Sequence, residues 1–383
     1  MATASASTPL SKLQAQKQSV WIDFMSRAFV RQGELARLIE EDGLQGATSN
    51  PTIFEKAIGH SADYNDDTRQ LVSEGADVDT IYQNLVVADI QGALELFRTV
   101  YDRTDGLDGY VSLEVSPLLA HDREKTTEEA KHYWQRLDRP NAMIKIPGTP
   151  ECVPAIEDSL ADGLNINVTL LFSVEAYEAV AQAYVRALKR RIDAGQSVDH
   201  IASVASFFVS RIDTEVDKRL DALIAQETDE GRKALLESLQ GKAAIANAKN
   251  AYAVYERIFS GPEWEALAAK GARVQRLLWA SVGTKNPSYP DTLYIDELIG
   301  PDTVSTMPPE TYNAFRDHGR IVDQPTLTTE MAEAQSLVAQ LAEVGIDLND
   351  VTDFLLKDGV EKFAQSFDDL YGAVRAKREQ FAR

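Results

Sequence analysis

Only one cysteine, Cys152, occurs among 383 residues, so no disulfide can form within the chain and no thiolate cluster can hold zinc. Histidine is nearly as scarce. His60, His121, His132, His200 and His318 are scattered, with no HxH or HxxxH pair to begin a metal site. Basic residues are the minority, 39 against 60 acidic ones, for a formal net charge of −21. So acidic a chain is repelled by phosphate backbones and anionic lipid, which puts nucleic-acid and membrane-surface roles last. No apolar run reaches the ~18 residues of a membrane span. The opening MATASASTPL has no basic segment followed by an apolar core, as a secretory signal needs. Glycine (21) and proline (14) are too few for a fibrous or low-complexity chain. What remains is the balance of a globular protein, 44% hydrophobic and 26% charged, expected in a reducing, cytoplasmic compartment.

This length suits one large barrel or two ordinary domains. Eight strand-like runs decide between them: 19–25, 45–50, 109–116, 142–148, 166–173, 201–210, 274–282 and 303–308. Between them apolar residues recur near the helical repeat, as in Phe29, Leu35, Leu38 and Ile39, or Ala176, Val180, Ala183 and Ala187. Strands alternating with helices predict parallel βαβ units, and eight such units predict a closed (β/α)8 TIM barrel. No Pro/Gly/Ser-rich linker divides the chain and no internal repeat is present, so residues 1–383 are read as one domain. Helical insertions are expected at about 52–105 and 211–272, the second with a long charged helix from Asp213 to Leu239. C-terminal helices are expected over about 324–383, burying a stripe of Leu355, Val360, Phe363, Phe367 and Leu370. A loose N-terminal tail leads into a short helix with Thr8 as its cap and Pro9 at its first position.

Side chains on a barrel strand alternate between the helix-facing layer and the interior. With Ile144 and Ile146 outward, Lys145 faces in. With Leu113 and Val115 outward, Ser112, Glu114 and Ser116 face in. Val168, Leu170 and Phe172 outward send Asn167, Thr169, Leu171 and Ser173 in. The same rule turns Trp21 and Asp23 in on the first strand, Ser206 and Phe208 on the sixth, and Trp279 and Ser281 on the seventh. The inner wall thus collects Asp23, Glu114, Lys145, Asn167, Thr169, Ser206 and Ser281, where a purely structural barrel takes Val, Ile and Leu.

Taken singly, each has an ordinary explanation. A strand lysine reaches past an edge to water, Asp23 caps a helix, Asn50 before Pro51 opens a turn, and Arg211 sits on an exposed helix face. Together, on six strands, they describe a reactive site, because buried charges are costly unless paired. An ammonium in a dry barrel is disfavoured relative to the neutral amine. A neutral amine attacks a carbonyl to give a Schiff base, which draws electrons from the adjacent carbon–carbon bond. Two carboxyls beside it can carry the proton transfers. Asn, Thr and Ser suit sugar hydroxyls, and Arg211 and Lys285 suit a phosphate. The residues alone lead to aldolase-type Schiff-base chemistry on a polyol.

Five motifs, in order after WIDF (21–24), resemble the transaldolase family: GATSNPTIF (46–54), NAMIKIPGT (141–149), INVTLLFS (166–173), VASFFVSRID (204–213) and DELIGPDTVSTMP (296–308). They cover nearly the whole chain, and the length with its middle insertion resembles the bacterial form without a fused isomerase domain. The resemblance implies a pentose-phosphate-pathway transferase. Such an enzyme moves a dihydroxyacetone unit from sedoheptulose 7-phosphate or fructose 6-phosphate to glyceraldehyde 3-phosphate or erythrose 4-phosphate, with no metal or organic cofactor. It implies Lys145 as the Schiff-base lysine, Asp23 as acid/base on the C4 hydroxyl, Glu114 as a carboxylate acting through a water, and Thr169 as the residue placing that water. Asn50, Asn167 and Ser206 then hold the dihydroxyacetone portion, and Arg211 and Ser281 the phosphate.

Two positions depart from the family pattern. Gly283 stands where many members carry Arg, leaving Lys285 as the nearest cation, and Phe207 stands where some carry Pro. The expected partners are sugar phosphates, in a monomer or a homodimer. One alternative is a class I fructose-6-phosphate aldolase of the same superfamily, against which Glu114 and Phe208 (Tyr in those relatives) both count. The other is a non-catalytic sugar-phosphate-binding barrel, against which the presence of Lys145 and both acids counts.

Overall fold

A computed structural model describes residues 8–382. Its strands are β1 (Gln18–Asp23), β2 (Gly46–Thr48), β3 (Tyr110–Glu114), β4 (Ala142–Pro147), β5 (Ile166–Leu171), β6 (Ser203–Phe208), β7 (Arg276–Ala280) and β8 (Thr303–Met307). They pair in parallel and in chain order, and β1 closes on β8. This is the (β/α)8 barrel that the alternation predicts. Helices begin where the sequence supplies a side-chain acceptor for their first free N–H groups, as at Asn50, Asp77, Asp122 and Ser173.

Three helices, Pro51–Gly59, Asn65–Ser73 and Val78–Arg103, lie between β2 and β3. The charged run after β6 is two helices where one is expected. Ser210–Ile224 ends, and Asp229 caps a fresh start at Glu230–Leu239 through the Arg232 N–H. Helices Ala243–Ile258 and Gly261–Ala268 follow. The C-terminal stretch is also broken, into a short turn at Thr326–Thr328, a helix Met331–Glu343 and, past Gly345, a 34-residue helix Leu348–Phe381. This last helix is about 51 Å long at 1.5 Å per residue. It buries Leu355, Phe363, Phe367 and Leu370 as expected, extends the stripe with Val351 and Val374, and leaves Val360 half-buried. Thr8 and Pro9 open the first described helix as read from the sequence, while the tail at 1–7 lies outside the described residues.

Residues paired across parallel strands share a face, so the register tests the inward and outward assignments directly. They hold on β4 and β6 and fail on parts of two others. On β7, Leu278 pairs with Ser206 and Ala280 with Phe208, so both face in; Trp279 faces out, its ring 6.3 Å from that of Phe207. The expectation for Trp279 is therefore reversed. After Arg276 the strand reads Leu-Leu-Trp-Ala, apolar on both faces, and such a run carries no alternation from which to read a face. Ser281 still reaches the interior cavity, because its left-handed backbone (φ 55°) breaks the alternation as the strand ends.

On β5 the left-handed Leu170 (φ 59°) inserts an extra residue, and the pairing jumps from Val168 with Ala205 to Leu171 with Phe207. Leu171 therefore faces out against Gly148, and Phe172 turns in, its ring 5.1 Å from that of Phe208. Ser116 and Ser173 lie past the paired part of their strands, and each caps the helical turn that follows.

The N-terminal end of the barrel is sealed. Trp21 does face in, and lies so close on Gly46 that a Cβ there would fall 2.5 Å from the indole. Beside it, Arg276 and Asp108 form a buried ion pair at 3.0 Å. Asp108 also accepts from the Trp21 indole (3.0 Å), Ser19 (2.7 Å) and Gln45 (3.0 Å), which satisfies the buried charge. Among the described residues the large cavity of the barrel interior opens at the C-terminal mouth.

On the helix Ser210–Ile224 the buried Asp213 accepts from the Ala244 N–H (2.7 Å) and the Tyr294 hydroxyl (2.9 Å), yet burial pushes its carboxyl up to about 7. The folded value lies above the unfolded one. Its contribution to stability is therefore full at acid pH and is lost as pH rises through the folded value. Asp213→Asn should flatten the fall in melting temperature between about pH 4 and pH 7, the window between the unfolded and folded values. Parallel melting curves for variant and parent across that range would contradict the assignment.

Candidate active site

The C-terminal strand ends open into a cavity of about 620 Å³ lined by Asp23, Asn50, Lys145, Ser206, Phe208, Arg211, Ser281 and Lys285. Glu114 and Asn167 sit just behind this wall, in contact with residues on it. Lys145 and Glu114 are in register on adjacent strands and are each 4% exposed. The lysine Nζ lies 3.2 Å from Glu114 Oε2 and donates to the Ser49 carbonyl at 3.2 Å. Asp23 Oδ1 accepts from Thr48 Oγ1 at 2.6 Å, and Thr48 Oγ1 is 2.8 Å from Thr306 Oγ1. Asn167 donates to Ser112 Oγ (3.0 Å) and accepts from Ser206 Oγ (2.7 Å), so its amide is locked in orientation. Asn50 serves two ends at once: it caps the helix Pro51–Gly59 through the Ile53 N–H (3.0 Å) and lines the cavity.

The electrostatics follow from this packing. Burial pushes the Asp23 carboxyl up, against the opposing pull of the Lys145 charge, the Thr48 hydrogen bond and the Arg211 charge. Burial also pushes Glu114 up, again opposed by Lys145. The contact between Glu114 and Lys145 is a close ion pair without hydrogen-bond alignment, so neither carboxylate oxygen of Glu114 has a hydrogen-bond partner among the described residues. Thr169 Oγ1 is buried and unpartnered as well, and no contact in the structure ties it to the cavity. A half-buried acid, a buried acid and a buried amine thus converge at one cavity, the arrangement that general acid–base and nucleophilic chemistry both need.

Arg211 is not on an exposed helix face. It is half-buried at the start of Ser210–Ile224, its guanidinium 5.2 Å from the Phe208 ring, with a buried Nη1 lacking any partner among the described residues. Ser281 Oγ is 3.0 Å from Ser210 Oγ. Lys285 is exposed on the loop after β7, and its Nζ lies 3.8 Å from the point where a Cβ on Gly283 would sit. The lysine thus reaches into the space beside that glycine.

Thr48, Thr306, Ser49 and Phe363 belong to the site and are missed by sequence reasoning. Thr48 and Thr306 could have been found, since register alone puts Thr48 beside Asp23 on the inner face. Phe363, whose ring lies 5.9 Å from the Lys145 ammonium, comes from the distant C-terminal helix and has no local signal. A separate cavity of about 780 Å³ lies between the helices Ala243–Ile258 and Met331–Glu343, but none of its lining residues carries an unpartnered buried polar atom among the described residues. Among those residues no group of three or more His, Cys, Asp or Glu side chains converges, and no helix is long and apolar enough to cross a membrane.

A closed parallel barrel with a buried lysine and two carboxyls at its C-terminal mouth belongs to the (β/α)8 class whose active sites lie at that end. The family model described as transaldolase/fructose-6-phosphate aldolase matches residues 20–374, and the chain belongs to that family. It is 50% identical over 377 residues to the transaldolase of Acidothermus cellulolyticus, covering 97% of this chain and 99% of that protein. To transaldolase 2 of Nostoc sp. it is 47% identical over 371 residues, 96% and 97% of the two chains. To the transaldolase of Thermobifida fusca it is 46% identical over 367 residues, 96% and 97% of the two chains. Near-full-length similarity at this level marks the chain as an enzyme, a transferase of aldehyde or ketone residues.

The Thr48 hydroxyl is one of the groups holding the Asp23 carboxyl down against burial. Thr48→Val removes that donor and should raise the pH at which Asp23 ionises, moving the acid limb of the kcat/KM profile to higher pH. An acid limb that stays in place would show that the Thr48 bond does not govern Asp23.

Proposed function

We propose that the chain, as a single catalytic domain in the cytoplasm, transfers a dihydroxyacetone unit between sugar phosphates through a Schiff base on Lys145. The observation that carries this reading is the water-excluded Lys145–Glu114 pair at the floor of a polar cavity that also holds Asp23. Lys145 attacks C2 of fructose 6-phosphate or sedoheptulose 7-phosphate. Glu114, with both oxygens free of other donors, takes the proton through a water that Thr169 helps to place, and the carbinolamine loses water to give the iminium.

Asp23 then takes the C4 hydroxyl proton. The C3–C4 electron pair moves into the iminium, and an aldose phosphate leaves. The three-carbon enamine on Lys145 adds to a second aldose phosphate, and hydrolysis of the new Schiff base frees the enzyme. Asn50, Asn167 and Ser206 hold the hydroxyls of the retained three carbons. Arg211, Ser281 and Lys285 hold the phosphate, with Lys285 supplying the cation that Gly283 lacks. Phe208 offers no hydroxyl to assist early hydrolysis, which favours transfer over cleavage. The iminium is itself the electron sink, so these steps need no further cofactor.

The test is product analysis. Fructose 6-phosphate with erythrose 4-phosphate should give sedoheptulose 7-phosphate and glyceraldehyde 3-phosphate faster than fructose 6-phosphate alone releases glyceraldehyde 3-phosphate. Cleavage that proceeds equally fast without an acceptor would favour the aldolase branch of the family. A charged contact to phosphate is worth about 1.5–3 kcal/mol, so Arg211→Ala should raise KM for phosphorylated donors by about 10- to 150-fold. Binding of dihydroxyacetone, which has no phosphate, should be nearly unchanged. Equal losses on both would assign Arg211 a structural role.

A further inference from the structure

Seven non-glycine residues among those described have left-handed backbone, and Leu170 is the one apolar member. That conformation is costly for a branched side chain and persists only where the surroundings over-determine it. What confines Leu170 is the C-terminal helix Leu348–Phe381 at Gly359. A Cβ at Gly359 would lie 3.1 Å from Leu170 Cδ2, 3.6 Å from Phe172 Cε2 and 3.7 Å from Arg211 Nη1. Glycine is disfavoured inside a helix. Here its lack of a side chain lets three residues of the barrel mouth meet the helix at one point.

The extra residue at Leu170 also turns Phe172 inward. Its ring lies 5.1 Å from that of Phe208, and the Phe208 ring in turn carries the Arg211 guanidinium at 5.2 Å. Arg211 makes no salt bridge within 4 Å, and its buried Nη1 has no hydrogen-bond partner among the described residues. Its orientation therefore rests on this stack and on the helix above it. We propose that Phe172, turned in by the Leu170 bulge and backed by Gly359, is a positioning residue that aims Arg211 at the substrate phosphate. This inference rests on the reading of Arg211 as the phosphate ligand given above. Selectivity for phosphorylated substrates is on this account set partly by the C-terminal helix, which touches the phosphate cation and not only the lysine.

Phe172→Leu removes the ring and keeps the bulk. Gly359→Ala reaches the same point from the helix without altering the barrel, and serves if the first variant folds poorly. Each should raise KM for fructose 6-phosphate by about 5- to 10-fold with kcat within about twofold of the parent. The dihydroxyacetone concentration that gives half-maximal borohydride trapping should stay unchanged. In an Arg211→Ala background either change should add nothing further, because the group it acts through is gone. Equal weakening of fructose 6-phosphate and dihydroxyacetone, additivity with Arg211→Ala, or no change in KM would overturn the proposal. If Arg211→Ala itself fails to separate the two substrates, the phosphate reading of Arg211 is what fails, and the platform falls with it.

Discussion

The ion pair between Lys145 and Glu114 is the constraint around which the rest is arranged. Two charges taken from water to 4% exposure carry a desolvation cost that their attraction offsets only in close contact. The barrel provides that contact by register, pairing Glu114 on β3 directly with Lys145 on β4. Among the described residues no other donor satisfies Glu114, so the pair is held ready and not neutralised by a network. The sealed N-terminal end makes the opposite choice. Asp108 and Arg276 are bonded by every neighbour that can reach them, which is how a buried pair is made inert.

The C-terminal helix gives the open mouth its roof. It crosses from Gly359, against Leu170 and Phe172, to Phe363 over Lys145. It is fastened to the β2–β3 insertion by Thr52 with Ser366 (2.8 Å), Lys377 with the Ser61 carbonyl (2.9 Å) and Arg378 with the Ala76 carbonyl (2.9 Å). Two of the three segments that a minimal barrel lacks are therefore bound to each other. Phe363 of the C-terminal helix lies over the buried Lys145, whereas Lys285 on the loop after β7 is exposed.

How much of this the sequence discloses depends on whether a local pattern exists. β4 reads Ile-Lys-Ile, and the alternation places Lys145 without ambiguity; β3 places Glu114 in the same way. β7 beyond Arg276 reads Leu-Leu-Trp-Ala, apolar on either face, so Trp279 is assigned to the wrong side. The Leu170 bulge is invisible, because nothing in INVTLLFS announces a left-handed leucine, and the glycine it packs against, Gly359, lies far along the chain. The family motifs bring the same residues to attention by another route. They say nothing of Phe172 or Gly359, whose contribution exists only in the fold.

The most direct measurement of the central claim is mass spectrometry after borohydride reduction in the presence of fructose 6-phosphate. The account predicts one reduced three-carbon adduct per chain, on the peptide that holds Lys145 and on that side chain. An adduct on any other lysine, or full activity with no trapped adduct, would contradict it.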